Sequence, residues 1–163
     1  MKLRNLLPKD KEKILDILKK IHEIAIFKKE EVECAAELLD SYLHDHNQIQ
    51  PDYEHVVCVD NCDNPLGYSC FGKVPLTDAV YDLYWIAVDP IHKGKGIGKK
   101  IMNFIEQKLI ARKTRKLLIE TSSLPIYLDT REFYKKIGYL EISRIKNFYS
   151  LTDDKITFEK CFY

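Results

Sequence analysis

Residues 88–100 read "VDPIHKGKGIGKK", directly behind the apolar and aromatic run "VYDLYWIAV", and the eight positions from Lys93 to Lys100 hold three glycines and four lysines. The run predicts a strand that stops at Pro90, and the stretch behind the loop, "GKKIMNFIEQKLIARK", predicts a helix. Its buried stripe is Ile101, Met102, Ile105, Leu109 and Ile110. A helix start leaves N–H groups without intrahelical partners and carries partial positive charge. Glycines let ligand oxygens approach those groups with no Cβ in the way. The expected ligand is an anion, a phosphate or pyrophosphate, with Lys93, Lys95, Lys99 and Lys100 strengthening the field. A loop that merely turns is the bland alternative.

Two well-known phosphate motifs fit poorly. The nucleotide P-loop spaces its glycines more widely and follows its lysine with Ser or Thr, whereas Lys99 is followed by Lys100. The dinucleotide fingerprint GxGxxG needs a third glycine where Lys99 stands, although Glu120 lies at about the distance of a ribose-binding acid. A dinucleotide-binding oxidoreductase therefore stays open as an alternative.

Working outward, residues 2 to 6 predict a short strand. "KDKEKILDILKKIHEI" behind Pro8 predicts a helix with Ile14, Leu15, Ile17, Leu18, Ile21 and Ile24 on one face. A second helix is expected over about 29 to 45, with Val32, Ala35, Ala36, Leu39 and Tyr42 apolar. "HVVCVD", the turn "NCDNPLG" and "YSCFGKV" form a hairpin signature. "RKLLIETS" predicts a strand parallel to "VYDLYWIAV", because a helix crosses between them. A helix around "DTREFYKKIG" and strands "YLEISRI" and "DKITFEKCF" close the chain. The fold class is mixed α/β: one domain over residues 1–163, a mostly antiparallel sheet with one parallel pair, and helices on both faces.

The totals narrow the function classes. The chain has 163 residues, 45% hydrophobic and 31% charged, with net charge +1, which suits an ordinary globular protein and offers no broad basic footprint for nucleic acid. Five cysteines, Cys34, Cys58, Cys62, Cys70 and Cys161, form no CxxC pair and are expected reduced, Cys58 and Cys70 as buried hydrophobes. His44 and His46 do not share a helix face, so no metal site is expected. No apolar stretch suits a signal peptide or membrane span, and a cytoplasmic protein is the expectation.

"VDPIHKGKGIGKKIM" resembles the acyl-CoA-binding motif of the general N-acetyltransferase (GNAT) superfamily, an Arg or Gln, two residues, then GxG or GxA, behind a strand ending V-x-P. Lys93, Gly96 and Gly98 fall on those positions, with lysine as the cation. "FYKKIGY", residues 133–139, is similar to the second motif of the family, and the order of strands and helices is the one this fold requires. The resemblance implies acetyl-CoA as cosubstrate. Its pyrophosphate would lie on Lys93, Gly94, Lys95, Gly96, Ile97, Gly98 and Lys99, and its pantetheine arm beside Ile86, Ala87 and Val88. Tyr127 and Thr130 stand where many members carry Asn and Ala on the cofactor side.

An amine acceptor of pKa near 10.4 is mostly protonated at neutral pH, so a base must help. Asp82 stands where such enzymes often carry a glutamate base. A mid-strand aspartate is disfavoured and calls for a reason, of which a solvent-facing acid is the plainer. One methylene shorter than glutamate, it would act through water. The resemblance makes Tyr134 the general acid for the departing thiolate, and a strand N–H near Ile86 or Ala87 the oxyanion donor. Acids on the second helix, Glu30, Glu31, Glu33, Glu37 and Asp40, would draw a cationic amine, with Tyr149 a wall of that pocket. The expectation is an N-acetyltransferase acting on a primary amine in a ternary complex, monomer or homodimer. A non-catalytic acyl-CoA sensor of the same fold is the alternative.

Overall fold

The structure is a computed structural model that describes residues 1–24, 26–44 and 53–163. Its elements run β1 (Lys2–Asn5), α1 (Lys11–Glu23), α2 (Lys29–His44), β2 (Tyr53–Val59), β3 (Pro65–Lys73), β4 (Val80–Val88), α3 (Ile97–Ala111), β5 (Lys116–Ser122), α4 (Leu128–Lys136), β6 (Leu140–Ser150) and β7 (Asp153–Cys161). The strands form one sheet in the order β1-β2-β3-β4-β5-β7-β6. Every neighbouring pair is antiparallel except β4–β5, the two strands joined through α3.

Alternation along the strands builds two cores. On one face Ile14, Ile17, Leu18 and Ile21 of α1 and Ala35 and Leu39 of α2 pack on Val57, Val59, Tyr68, Cys70 and Ala87. On the other, the α3 stripe and Tyr134 of α4 pack on Val56, Cys58, Phe71, Leu83, Leu117, Ile119, Ile156 and Phe158. Neighbouring residues of β2 thus enter opposite cores, which is why "VVCV" reads as an unbroken apolar run. Each Val, Leu, Ile, Phe or Met among them contributes about 1.5–3 kcal/mol on burial. Gly67 lets β3 approach this closely: a Cβ there would lie 2.9 Å from the Ala87 carbonyl oxygen and 3.1 Å from Ile97.

The expected elements are present with shifted ends. Pro8–Asp10 forms a separate 3₁₀ turn ahead of α1 because the buried Asp10 carboxylate accepts from Leu7 N at 2.8 Å and from Arg4 at 2.6 and 2.9 Å. Ile24 and Ile110, expected in their stripes, are 49% and 45% exposed. β6 runs to Ser150 rather than stopping near Ile145, and Asp45 and His46 lie outside the described residues. The turn between β2 and β3 is held by Asp60, which accepts from Cys62 N at 2.8 Å and Asn64 N at 2.9 Å.

Candidate active site

The glycine loop is built by its first residues. Asp89, 1% exposed, accepts from Ile91 N at 3.2 Å and faces Lys20 at 3.3 Å and Lys13 at 3.8 Å, so the end of β4 is pinned to α1. Pro90–His92 makes a single 3₁₀ turn. Gly94 and Gly96 then take φ of +81° and +75°, left-handed backbone that β-branched or bulky residues adopt only under strain, and nothing lies within 4 Å of a Cβ placed at either. α3 starts at Ile97, with Gly96 as its cap. Its first turn carries no acid, and its first bond joins Lys100 N to the Gly96 carbonyl at 3.1 Å. The amides of Ile97, Gly98 and Lys99 precede that bond.

The lysines divide their work. Lys93 reaches Asp129 in the first turn of α4 at 2.9 Å, and Lys95 donates to His92 Nδ1 at 3.0 Å. Lys99 and Lys100 are exposed on the first turn of α3.

Beside the loop, the parallel pair comes apart. Val80, Tyr81, Asp82 and Leu83 pair with Lys116, Leu117, Leu118 and Ile119, and the pairing ends there. Across β4, the register with β3 slips between Cys70 and Phe71, which face Trp85 and Leu83, so Tyr84 is an extra residue that bends the strand. β5 instead stays paired with β7 as far as Ser122. Residues 84–88 and 120–122 therefore face each other across a gap, and Ile86, Ala87 and Val88 line its β4 side.

The far end of β5 is held by a buried polar cluster. Asp153, 3% exposed, accepts from Ser122 Oγ at 2.6 Å and Ser123 N at 3.2 Å, while Arg131 donates to the carbonyls of Ser122 at 2.8 Å and Leu124 at 2.9 Å. Sequence reasoning passed over Asp153, Ser122 and Arg131, because nothing in their spacing links a β5 serine to an acid thirty-one residues on.

Tyr134 lies on the α4 side of the sheet, among Phe133, Tyr139 and Phe158 at ring separations of 5.4, 6.0 and 5.9 Å. Burial alone pushes its phenol well above the ordinary value. Asp82 alternates with Tyr81 and Leu83, which pack in the α3–α4 core, so it points to the opposite face one residue before the pairing ends. Burial raises its carboxyl, Glu120 raises it further and Lys155 opposes them. Lys155 and Glu120 are themselves paired at 2.8 Å. Glu120, weighed as a ribose ligand, is thus a neighbour of Asp82 instead.

Tyr127, on the 3₁₀ turn before α4, donates its hydroxyl to the Ile26 carbonyl in the connection between α1 and α2. Burial first, then Glu31, Asp153 and Tyr149, push its phenol up to about 12; Tyr149 is pushed to about 12 by burial, Glu120, Asp153 and Glu31. Glu31 of α2 thus reaches this cluster. Thr130 is half-buried on α4. Among the described residues, no three or more His, Cys, Asp or Glu side chains are arranged to hold a metal, and no helix is long and apolar enough to cross a membrane. All five cysteines are free, with Cys58 and Cys70 buried.

Comparison with known proteins bears on the family and the fold. Residues 51–141 match the family model described as "Acetyltransferase (GNAT) domain". A crystal structure from Desulfovibrio desulfuricans, assigned to the GNAT family of acetyltransferases, superposes with TM-score 0.90 at 31% identity over 99% of both chains. An aminoglycoside 6'-N-acetyltransferase complexed with coenzyme A gives 0.75 at 17% identity, covering 100% of this chain and 98% of that one. The ribosomal-protein-S18-alanine N-acetyltransferase of Escherichia coli gives 0.76 at 19% identity over 99% of this chain and 93% of that one. No curated protein matches the sequence.

Proposed function

The chain belongs to the GNAT acetyltransferase family, and from that premise we propose that it moves an acetyl group from acetyl-CoA to a primary amine by direct attack in a ternary complex. The observation that carries this reading is the gap between β4 and β5 beside a glycine loop that opens a helix. The loop fits the pyrophosphate of coenzyme A, since amides at the start of α3 precede any intrahelical bond and the positive-φ glycines leave space in front of them. The β5-facing edge of residues 85–88, which pair with β3 on their other side, fits the amide-bearing pantetheine arm, which would add as a short strand.

The cosubstrate supplies a thioester carbonyl; the chain supplies the proton traffic around it. The amine nitrogen bonds to the carbonyl carbon, the oxygen becomes negative, and a strand N–H near Ile86 or Ala87 donates to it. Asp82, on the open face, takes the proton of the amine through water. A carboxyl raised above its usual range is a stronger base than an exposed aspartate. The carbon–sulfur bond then breaks, and Tyr134, kept protonated by burial, donates to the departing thiolate. Tyr127 and Thr130 line the cofactor side near α4, and Lys93 meets the ligand only by leaving Asp129. Residues 1–163 act as one catalytic domain, and the free cysteines fit a reducing, cytoplasmic setting.

A panel of primary amines with acetyl-CoA, following free thiol, tests the proposal. Amine-dependent thiol release is expected. Acetyl-CoA binding by calorimetry with no release across the panel would replace the enzyme with an acyl-CoA sensor, and absence of binding would overturn both.

A further inference from the structure

α4 has little of its own to hold it in place. It is nine residues long, and Tyr134 is its one buried side chain. A helix of that length is marginal in water, so its depth and rotation are set by what grips it. Toward its start, Arg131 donates to the carbonyls of Ser122 and Leu124. Its other end is gripped by groups that the acetyl-transfer scheme leaves unused.

The chain leaves α4 through Ile137 and Gly138. Gly138, at φ +93°, turns the backbone so that its own N–H donates to the Lys135 carbonyl at 3.0 Å and the Tyr139 N–H donates to the Tyr134 carbonyl at 3.0 Å. Those two bonds make a Schellman ending, which brings the residue after the glycine against the residue to which it bonds. The Tyr139 and Tyr134 rings accordingly lie 6.0 Å apart. The Tyr139 side chain is buried and donates its hydroxyl to Glu106 Oε1 on α3 at 3.1 Å. Burial first, then Glu106, raise its phenol well above the ordinary value, so it stays a donor.

Lys160 closes the arrangement. Ile156, Phe158 and Lys160 alternate along β7, and the lysine stands where the pattern calls for a third residue of the α3–α4 core. Glu106 likewise interrupts the stripe of α3 between Ile105 and Leu109, and it is 8% exposed. Lys160 Nζ donates to Glu106 Oε2 at 2.8 Å and to the Ile137 carbonyl at 2.9 Å, and it lies 5.4 Å from the centre of the Tyr139 ring. A carbonyl at a helix end needs such a partner. An ion pair at core positions often adds no stability over apolar residues of similar volume, so two charges here call for another reason.

We propose that Glu106, Tyr139 and Lys160 are positioning residues that fix the Tyr134 hydroxyl beside the sulfur of the acyl donor. The inference rests on the proposed acetyl transfer, in which Tyr134 is the general acid. Catalytic groups must be held within about 0.5 Å of their working geometry. Tyr134 is the third residue from the end of α4, so a shift at Ile137 is passed to it through the Schellman bonds. The clasp ties that end to α3 through Glu106 and to β7 through Lys160, and its three side chains act only through Tyr134.

A double-mutant cycle on thiol release tests this. Lys160→Met in the wild-type background is expected to lower kcat about ten- to a hundredfold, with the calorimetric Kd for acetyl-CoA and the KM for the amine held within about twofold. In the Tyr134→Phe background the same substitution is expected to change nothing further, because no hydroxyl is left to place. Equal losses in the two backgrounds would make the clasp purely structural and overturn the proposal. Lys160→Met leaves Glu106 without its cation and risks misfolding. The paired substitution Glu106→Leu with Lys160→Met removes both charges, Tyr139→Phe removes only a hydroxyl, and unchanged kcat in both overturns the proposal as well. Full kcat in Tyr134→Phe would instead remove the general acid, and the proposal with it. A spectroscopic arm needs no turnover: in protein labelled with 13C at tyrosine Cζ, the Tyr134 resonance, identified by its loss in Tyr134→Phe, must move in the paired variant. A resonance that stays in place refutes the clasp whether or not any amine is acetylated.

Discussion

The seam between β4 and β5 is closed at one end and open at the other. At the closed end, Leu83 and Ile119 continue a sheet buried under helices, where a side chain matters through packing. At the open end, the bulge at Tyr84 and a strand held by Asp153 and Arg131 go with the end of the β4–β5 pairing after Leu83 and Ile119. The difference teaches that the site is made by withholding sheet hydrogen bonds rather than by adding groups. Substitutions at the closed end should change stability and spare turnover; those at the open end should do the reverse.

Tyr134 tests that division most severely, because it is buried like a core residue yet assigned to the open end. Tyr134→Phe keeps the ring and removes the hydroxyl of a phenol raised by burial. A fall in kcat of about 10²- to 10³-fold with an unchanged melting temperature is expected. A loss of stability with normal kcat would return Tyr134 to the core and break the comparison.

His55, on β2 away from the seam, is the matching probe of a position that matters through packing. It is 1% exposed, stacked 5.7 Å from Tyr68, with Cys70 Sγ 3.8 Å from Nε2 and Nδ1 unpartnered. Burial lowers its pKa to about 4, against the small opposing pull of Glu54. Below pH 6.5 the unfolded chain takes up a proton that the native imidazole refuses, so stability falls from pH 6.5 toward 4, by up to about 3 kcal/mol. His55→Phe should flatten that part of the melting-temperature profile relative to wild type and leave acetyl transfer unchanged at neutral pH.

Much of this geometry is written locally in the chain. The loop of residues 88–100 is legible because glycines, lysines and a proline each have a local conformational meaning, and the hairpin at Asp60–Asn64 is legible for the same reason. Tyr84 is not: a bulge at a Tyr-Trp pair has no composition cue, since it depends on how β3 and β5 pull β4 in different directions. Asp82 stood out as an acid within a strand, but its neighbours Glu120 and Lys155 come together only when β5 and β7 pair. The Asp89 cap was within reach, because Asp before Pro at a strand end favours a turn.

Gly96 asks whether the loop serves the ligand or the fold. Gly96→Val places a β-branched residue at φ +75°, costing about 1–2 kcal/mol of backbone strain, and puts bulk before the first amides of α3. We expect the calorimetric Kd for acetyl-CoA to rise about tenfold or more, while kcat at saturating cosubstrate changes less. Equal affinity in the variant would mean that the loop only turns.

Asp82 gives the smallest effect and the sharpest one, because its neighbours pull in opposite directions. As a base it works only when deprotonated, so its raised pKa carries the acid limb of kcat/KM above the ordinary carboxylate range. Asp82→Asn should abolish that limb and slow transfer about tenfold at neutral pH, the deficit shrinking as the amine deprotonates on its own. Glu120→Gln removes a repelling charge and frees Lys155, so the limb must move to lower pH. Lys155→Met removes the attracting charge and frees Glu120, so it must move to higher pH. Shifts of the same sign from these two variants would show that the limb belongs to another group, and the base would have to be sought elsewhere along the open seam.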